Sequence, residues 1–253
     1  MRSEQLLRFY RSLIFQPFSV VDVETTGSIA YKERVTEISV LHASLKDGIQ
    51  HQATTLVNPE KAIPLKIVEI TGITQAMVNA APMAEEVFPE YLPLLNNGIL
   101  TGHNLAFDYA FLKAEYRRLE VPFARPAAER LCTVQLARLM LPDLPSRSLP
   151  DLVRHFQFPV AESHRAEADA IACWLLAKQL LTEIHEAPDQ MILERFGREW
   201  IPLKLAARIL ECSQKKAQKD LEEAGILFRP SARSGTPMYR RGEVERLGIR
   251  PII

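Results

Sequence analysis

A chain of 253 residues, 47% hydrophobic and 25% charged, has the composition of a folded globular protein with room for one substantial core and a smaller module, which excludes disorder as the default. Its three cysteines, Cys132, Cys173 and Cys212, are odd in number and lack metal-type spacing, so they predict neither a disulfide framework nor a zinc site, and a reducing compartment is expected. The formal net charge is zero, but residues 1–194 hold 18 Lys/Arg against 24 Asp/Glu while residues 195–253 hold 13 against 7, so an acidic body precedes a basic tail.

Residues 1–17 read as a helical extension; arginines interrupt their apolar positions, which argues against a secretory leader. No apolar run approaches the ~20 residues of a membrane span, so a cytoplasmic protein without a membrane partner is expected. Phe18–Thr25 is rich in β-branched residues and reads as a strand stopped by Gly27. Two further strands, Val35–Leu45 and Ile49–Val57, flank the turn signal Lys46-Asp47-Gly48. Short helices are predicted around Ile67–Thr71 and Thr74–Ala80, then an amphipathic one over Ala84–Leu95. A short strand over Ile99–Asn104 leads to a helix over Phe107–Leu119, and helical periodicity returns at Thr133–Met140, Leu149–Phe156 and Ala166–Ile184. This order predicts an α/β domain over residues 18–185, a linker at 186–200 and a separate basic module at 201–253.

Asp22 and Glu24 stand two apart on a strand, so both project from one face of a segment otherwise suited to burial. Two adjacent carboxylates repel, and burying them requires a cation or an exposed strand end. Asp108 follows the short strand near the start of a helix, where an acidic residue also suits the helix dipole. His164 and Asp169 would diverge by roughly 140° if both were helical. The spacing therefore places His164 in a loop and Asp169 in the first turns of the next helix.

Taken together, Asp22-Val-Glu-Thr-Thr-Gly27, Ile70-Thr-Gly-Ile-Thr74, His103-Asn-Leu-Ala-Phe-Asp108 and His164-Arg-Ala-Glu-Ala-Asp169 resemble, in order and context, the DEDD exonucleases of the subgroup whose last motif carries histidine. The likeness spans roughly residues 18–184 and is strongest toward the proofreading epsilon subunits of bacterial DNA polymerase III and their stand-alone relatives. It implies a ribonuclease H-like mixed sheet flanked by helices, and removal of nucleotides from 3′ ends. The four carboxylates Asp22, Glu24, Asp108 and Asp169 suit hard divalent ions, two Mg²⁺ or Mn²⁺. His164, of a residue type whose ordinary pKa is ~6.5, is suited to accept the proton of an attacking water.

The polarity of cleavage is implied only by the resemblance, because these carboxylates would serve an endonuclease equally well. By motif position Thr25, Thr26 and Gly27 hold the terminal nucleotide, and Asn104 and Phe107 lie at the substrate. Phe107 reads equally as core packing for its helix, and Ile73 as either a wedge against a terminal base or a buried apolar residue.

In the tail, Leu203–Leu210, a turn at Cys212-Ser213, a helix ending at Gly225 and a basic ribbon read as a winged helix-turn-helix, similar to the small DNA-binding domains of excisionases. Lys215, Lys216 and Lys219 fall on the second helix, and Arg229, Arg233, Arg240 and Arg241 in or around the wing. Lysines there suit phosphate contact rather than base readout; a protein-binding module is the alternative. Single-stranded or 3′-frayed DNA is the expected partner, with a polymerase or repair protein as a second. An exoribonuclease similar to RNase T or oligoribonuclease, and a non-catalytic DNA-binding polymerase accessory, stand as alternatives.

Overall fold

The computed structural model describes residues 1–160, 164–231 and 234–248. In chain order these form α1 (Ser3–Ser12), β1 (Phe18–Thr25), β2 (Val35–Ser44), β3 (Gly48–Leu56), α2 (Leu65–Thr71), α3 (Gln75–Asn79), α4 (Ala84–Leu95), β4 (Ile99–Gly102) and α5 (Ala106–Arg118). There follow β5 (Arg130–Cys132), α6 (Thr133–Met140), α7 (Leu149–Phe156), α8 (Ala166–Glu186), α9 (Asp189–Gly197), β6 (Trp200–Pro202), α10 (Leu203–Ile209), α11 (Gln214–Glu223), β7 (Arg229–Pro230), β8 (Pro237–Arg240) and α12 (Arg241–Leu247). Among the described residues no helix is long and apolar enough to cross a membrane.

Two units result. The larger comprises Leu13–Leu136 and Ser146–Leu180, the smaller Met1–Ser12, Ala137–Pro145 and Leu181–Ile253. The larger unit is a five-stranded mixed sheet in the order β3-β2-β1-β4-β5, antiparallel among β1, β2 and β3, parallel from β1 through β4 to β5. Helices flank it, as expected of a ribonuclease H-like fold. The antiparallel hairpin follows from Asp47-Gly48, where Gly48 takes φ 72°.

Strand alternation gives β1 two unlike faces. Val21 and Val23 join Ile38 and Val40 of β2 in a core closed by Phe88 and Tyr91 of α4 and Phe111, Leu112 and Tyr116 of α5. The opposite face is apolar only at its start, where Phe18 packs on Trp174 of α8 with ring centroids 5.5 Å apart. Further along that face stand Asp22 and Glu24. A register shift between Glu24 and Thr25 interrupts the ladder with β2, which resumes at Thr25 opposite Val35, so the acidic end of β1 lies at an irregularity in the pairing.

The smaller unit differs from the sequence expectation. Residues 186–200, expected as a linker, hold α9, whose Ile192 and Phe196 are fully buried. The N-terminal extension is not a separate segment: Tyr10 of α1 meets Phe196 edge-on at 6.3 Å, and Ser3 donates to Glu245 of α12. Such contacts join residues more than 180 positions apart, out of reach of local periodicity. A three-stranded sheet, β6-β8-β7, closes over Ile201, Ala206, Leu221, Tyr239 and Val244. Strands β5 and β6, three residues each, and α12 are not predicted from the sequence, being too short to show a period.

Candidate active site

Asp22, Glu24 and Asp169 each present a carboxylate oxygen, all within 4.8 Å of one another. The strand supplies the first two by alternation, and α8 supplies Asp169 from its first turn, where Asp169 N–H donates to the Arg165 carbonyl at 3.0 Å. Asp108, in the first turn of α5, completes the set: its Oδ1 accepts from the Val23 N–H at 3.3 Å, between the two β1 acids. This approach depends on Gly102. A Cβ there would sit 3.2 Å from the Val21 carbonyl oxygen, 3.1 Å from Leu105 Cδ1 and 3.4 Å from Asp108 Oδ2.

Burial and mutual repulsion leave these acids reluctant to ionise without a cation. Burial, then the neighbouring charges of Asp108, Asp169 and Glu24, hold the Asp22 carboxyl well above the usual range. Glu24 is pushed up to about 7 by burial and by Asp169 and Glu37, against the pull of Arg165. Burial raises Asp108 to about 8, although the Val23 N–H favours its charged form. Hard oxygen donors, clustered and short of positive charge, fit divalent cations better than any amine or hydroxyl ligand.

His164 occupies the turn before α8, exposed, with φ 77°, and its N–H donates to Asp169 Oδ2 at 3.3 Å. A non-glycine residue at positive φ is held there by its surroundings at a cost of about 1 kcal/mol or more. The loop placement of His164 and the first-turn placement of Asp169 match what their five-residue spacing predicts.

The remaining sequence candidates divide. Thr25 and Thr26 are buried, and their hydroxyls are engaged within the loop: Thr25 donates to the Gly27 carbonyl at 2.7 Å and Thr26 to Glu33 at 2.6 Å. They shape the loop, in which Gly27 is half-buried. Asn104 is exposed at φ 70°. Phe107 is half-buried, its ring 4.9 Å from that of Phe111, so it packs on the core with part of its surface open. Ile73 is a correction. Of the two readings the sequence left open, the buried apolar one holds: Ile73 is fully buried and packs with Ile63 and Val78. The Ile70–Thr74 stretch is instead a stop-and-start between helices: Gly72 caps α2 at φ 70°, Thr71 Oγ1 accepts from Ile73 N–H, and Thr74 caps α3.

Of the basic tail, Lys215, Lys216 and Lys219 are exposed on α11, with Lys216 3.1 Å from Asp220 and Lys219 3.4 Å from Glu223. The Arg229 and Arg240 guanidiniums each lie 4.2 Å from the centre of the Trp200 ring. Arg233 lies outside the described residues. Arg241 is a second correction: it is buried, paired with Glu199 at 2.7 Å and Glu245 at 3.3 Å, and unavailable to a ligand.

Sequence reasoning missed Glu37 and Arg165, a pair beside the acidic cluster, and the structural part played by His103. Burial lowers the His103 pKa to about 4. Its Nε2–H donates to the Arg147 carbonyl and its Nδ1 accepts from Thr133, both at 2.9 Å. A lone glutamate among the apolar residues of Val35–Leu41 was the available signal for Glu37, but its partner depends on strand register.

The family model for RNase_T, described as an exonuclease, matches residues 19–176. The chain belongs to this exonuclease family. It is 33% identical to the DNA polymerase III subunit epsilon of Aquifex aeolicus (strain VF5) over 72% of its own length and 89% of the relative's. It is 35% identical to the PolC-type DNA polymerase III of Clostridium perfringens over 68% of this chain but only 12% of that one. A putative bifunctional exonuclease/endonuclease of Mycobacterium tuberculosis is 37% identical over 61% of this chain and 25% of its own length. The chain thus spans a quarter or less of these two long relatives. In fold it is similar to Exonuclease X in complex with 5′ overhanging duplex DNA, with TM-score 0.52, 22% identity, and 71% and 99% of the two chains covered. It is also similar to the zinc-bound Exonuclease I–single-stranded DNA complex of E. coli, with TM-score 0.60, 20% identity, and 69% and 42% covered.

Proposed function

We propose that this chain is a DEDDh-type, metal-dependent 3′→5′ exonuclease that releases nucleoside 5′-monophosphates from DNA 3′ ends. The observation that carries this reading is the convergence of Asp22, Glu24 and Asp169 within 4.8 Å, with Asp108 bonded to the β1 backbone between the first two. Two Mg²⁺ or Mn²⁺ ions on these four carboxylates would neutralise the cluster and polarise the phosphate and its leaving oxygen. The chain's own part is to orient and to move a proton. His164 takes the proton of the water that attacks the terminal phosphorus, the bond to the 3′ oxygen breaks, and that oxygen takes a proton from solvent, so the shortened strand leaves with a 3′ hydroxyl. The loop after β1 together with Asn104 and Phe107 seats the terminal nucleotide.

DNA is favoured over RNA by the smaller unit, where α10, a turn, α11 and the β7–β8 ribbon follow the order of a winged helix-turn-helix. Lys215, Lys216, Lys219, Arg229 and Arg240 would contact phosphates there. A folded basic module of its own favours a separate repair nuclease over a polymerase subunit, and free cysteines fit a reducing, cytoplasmic setting.

The test is degradation of 5′-labelled and 3′-labelled single-stranded DNA and RNA, with Mg²⁺ and with chelator. Stepwise shortening of 5′-labelled DNA with immediate release of the 3′ label is expected. Internal fragments, or unchanged activity in Asp22→Asn, would sink the reading; faster turnover of RNA would redirect it to an exoribonuclease.

A further inference from the structure

Glu37 stands opposite Glu24 in the antiparallel register of β2 and β1, on the same face of the sheet, and is 1% exposed. A further carboxylate buried beside the acidic cluster needs its own compensation, and here it has two donors. Arg165 spans both oxygens, with Nε 3.2 Å from Oε1 and 3.1 Å from Oε2, and its Nη2 also bonds Oε1. The Ala166 N–H donates to Oε2 at 2.9 Å. One buried carboxylate therefore grips both residues between His164 and the body of α8. His164 itself sits at φ 77°, a conformation that persists only where neighbours impose it.

Resting on the reading of His164 as proton acceptor, we infer that the Glu37–Arg165 pair is a positioning device that sets the His164 imidazole over the acidic cluster. The guanidinium fork is well suited to this, since its planar, bidentate geometry fixes direction as well as distance, which a lysine point charge does not. The Nε–Nη2 edge of the guanidinium is spent on Glu37. Glu37 and Arg165 are positioning residues and take no part in the proton transfer.

The test is a double-mutant cycle on the full chain, with 5′-labelled single-stranded DNA and saturating Mg²⁺. Arg165→Met is expected to lower kcat about 30-fold with KM within about twofold, since misplacing a reacting group by an ångström costs up to ~100-fold. Arg165→Lys should fall between it and wild type. In a His164→Ala background Arg165→Met should cost less than about threefold, because the route through His164 is already closed. In the charge-conserving Arg165→Lys, calorimetric Mn²⁺ affinity should stay within about twofold, and ¹⁵N relaxation of the His164 amide in chelated Arg165→Met should report new fast motion. An equal loss in both backgrounds, or an effect confined to KM or Mn²⁺ affinity, overturns the proposal. A melting temperature for Arg165→Met far below wild type transfers the cycle to Arg165→Lys, where the same two outcomes decide. If His164→Ala alone keeps wild-type kcat, the proton-acceptor reading itself fails.

Discussion

At the end of β1, Asp22, Glu24, Asp108 and Asp169 crowd together, the first three with their carboxyls held above the ordinary range, and Arg165, the nearby cation, is spent on Glu37. In the smaller unit Arg241 is only 4% exposed, yet Glu199 and Glu245 neutralise it on the spot. The first cluster carries internal repulsion, which bound protons or a ligand of opposite charge relieve; the second is complete within the fold. Buried charge left unbalanced marks a site, and buried charge balanced internally marks architecture.

The sharpest break of this comparison is at the acids themselves. Asp22→Asn or Asp108→Asn should lower kcat on single-stranded DNA by about 1,000-fold or more, given that such ions and their positioning carry several kcal/mol of the rate enhancement. The same substitutions should raise or maintain the melting temperature in chelator, because they remove repulsion. Retained activity, or a loss of activity accompanied by collapse of the fold, would contradict the comparison.

Arg241→Met should do the reverse. It strands the buried Glu199, whose carboxyl burial already raises, and should cost about 3 kcal/mol in denaturant unfolding while leaving kcat on short substrates near wild type. Loss of kcat without loss of stability would make Arg241 part of the machinery.

Acidity sharpens the contrast further. In chelator the folded protein keeps protons on Glu24 up to about 7 and on Asp108 up to about 8. Unfolded, those carboxyls release them near ~4. The unfolded state therefore binds fewer protons across the interval, so stability falls as pH rises from about 4 to about 8. Melting curves against pH should show this decline, saturating Mg²⁺ should remove it, and Asp108→Asn should shed its share of the slope.

The smallest effect concerns the basic surface of the second unit. Joint replacement of Lys215, Lys216 and Lys219 by alanine should weaken binding to long DNA several-fold and flatten the salt dependence by up to about three units, with turnover of short 3′ ends unchanged. An unaltered salt slope would turn the α11 surface toward a protein partner.

What was legible in the sequence was local. The placement of Asp22 and Glu24 on one face of a strand, of Asp108 and Asp169 at helix starts and of His164 in a loop could be read from alternation and spacing, because each depends on immediate neighbours; their grouping into one set rested on the family resemblance. The hairpin at Asp47-Gly48 and the helices at Ala84–Leu95 and Leu149–Phe156 followed for the same reason. Tertiary structure alone decided which charges are buried and with whom. Ile73 turned inward because capping at Gly72 and Thr74 aims it so. Arg241 left the exposed basic surface because it opens α12 and is drawn inward to Glu199, 42 residues earlier in the chain. Glu37 met Arg165 across 128 residues through a strand register that no local pattern sets, since one residue of slip would send its side chain to the other face.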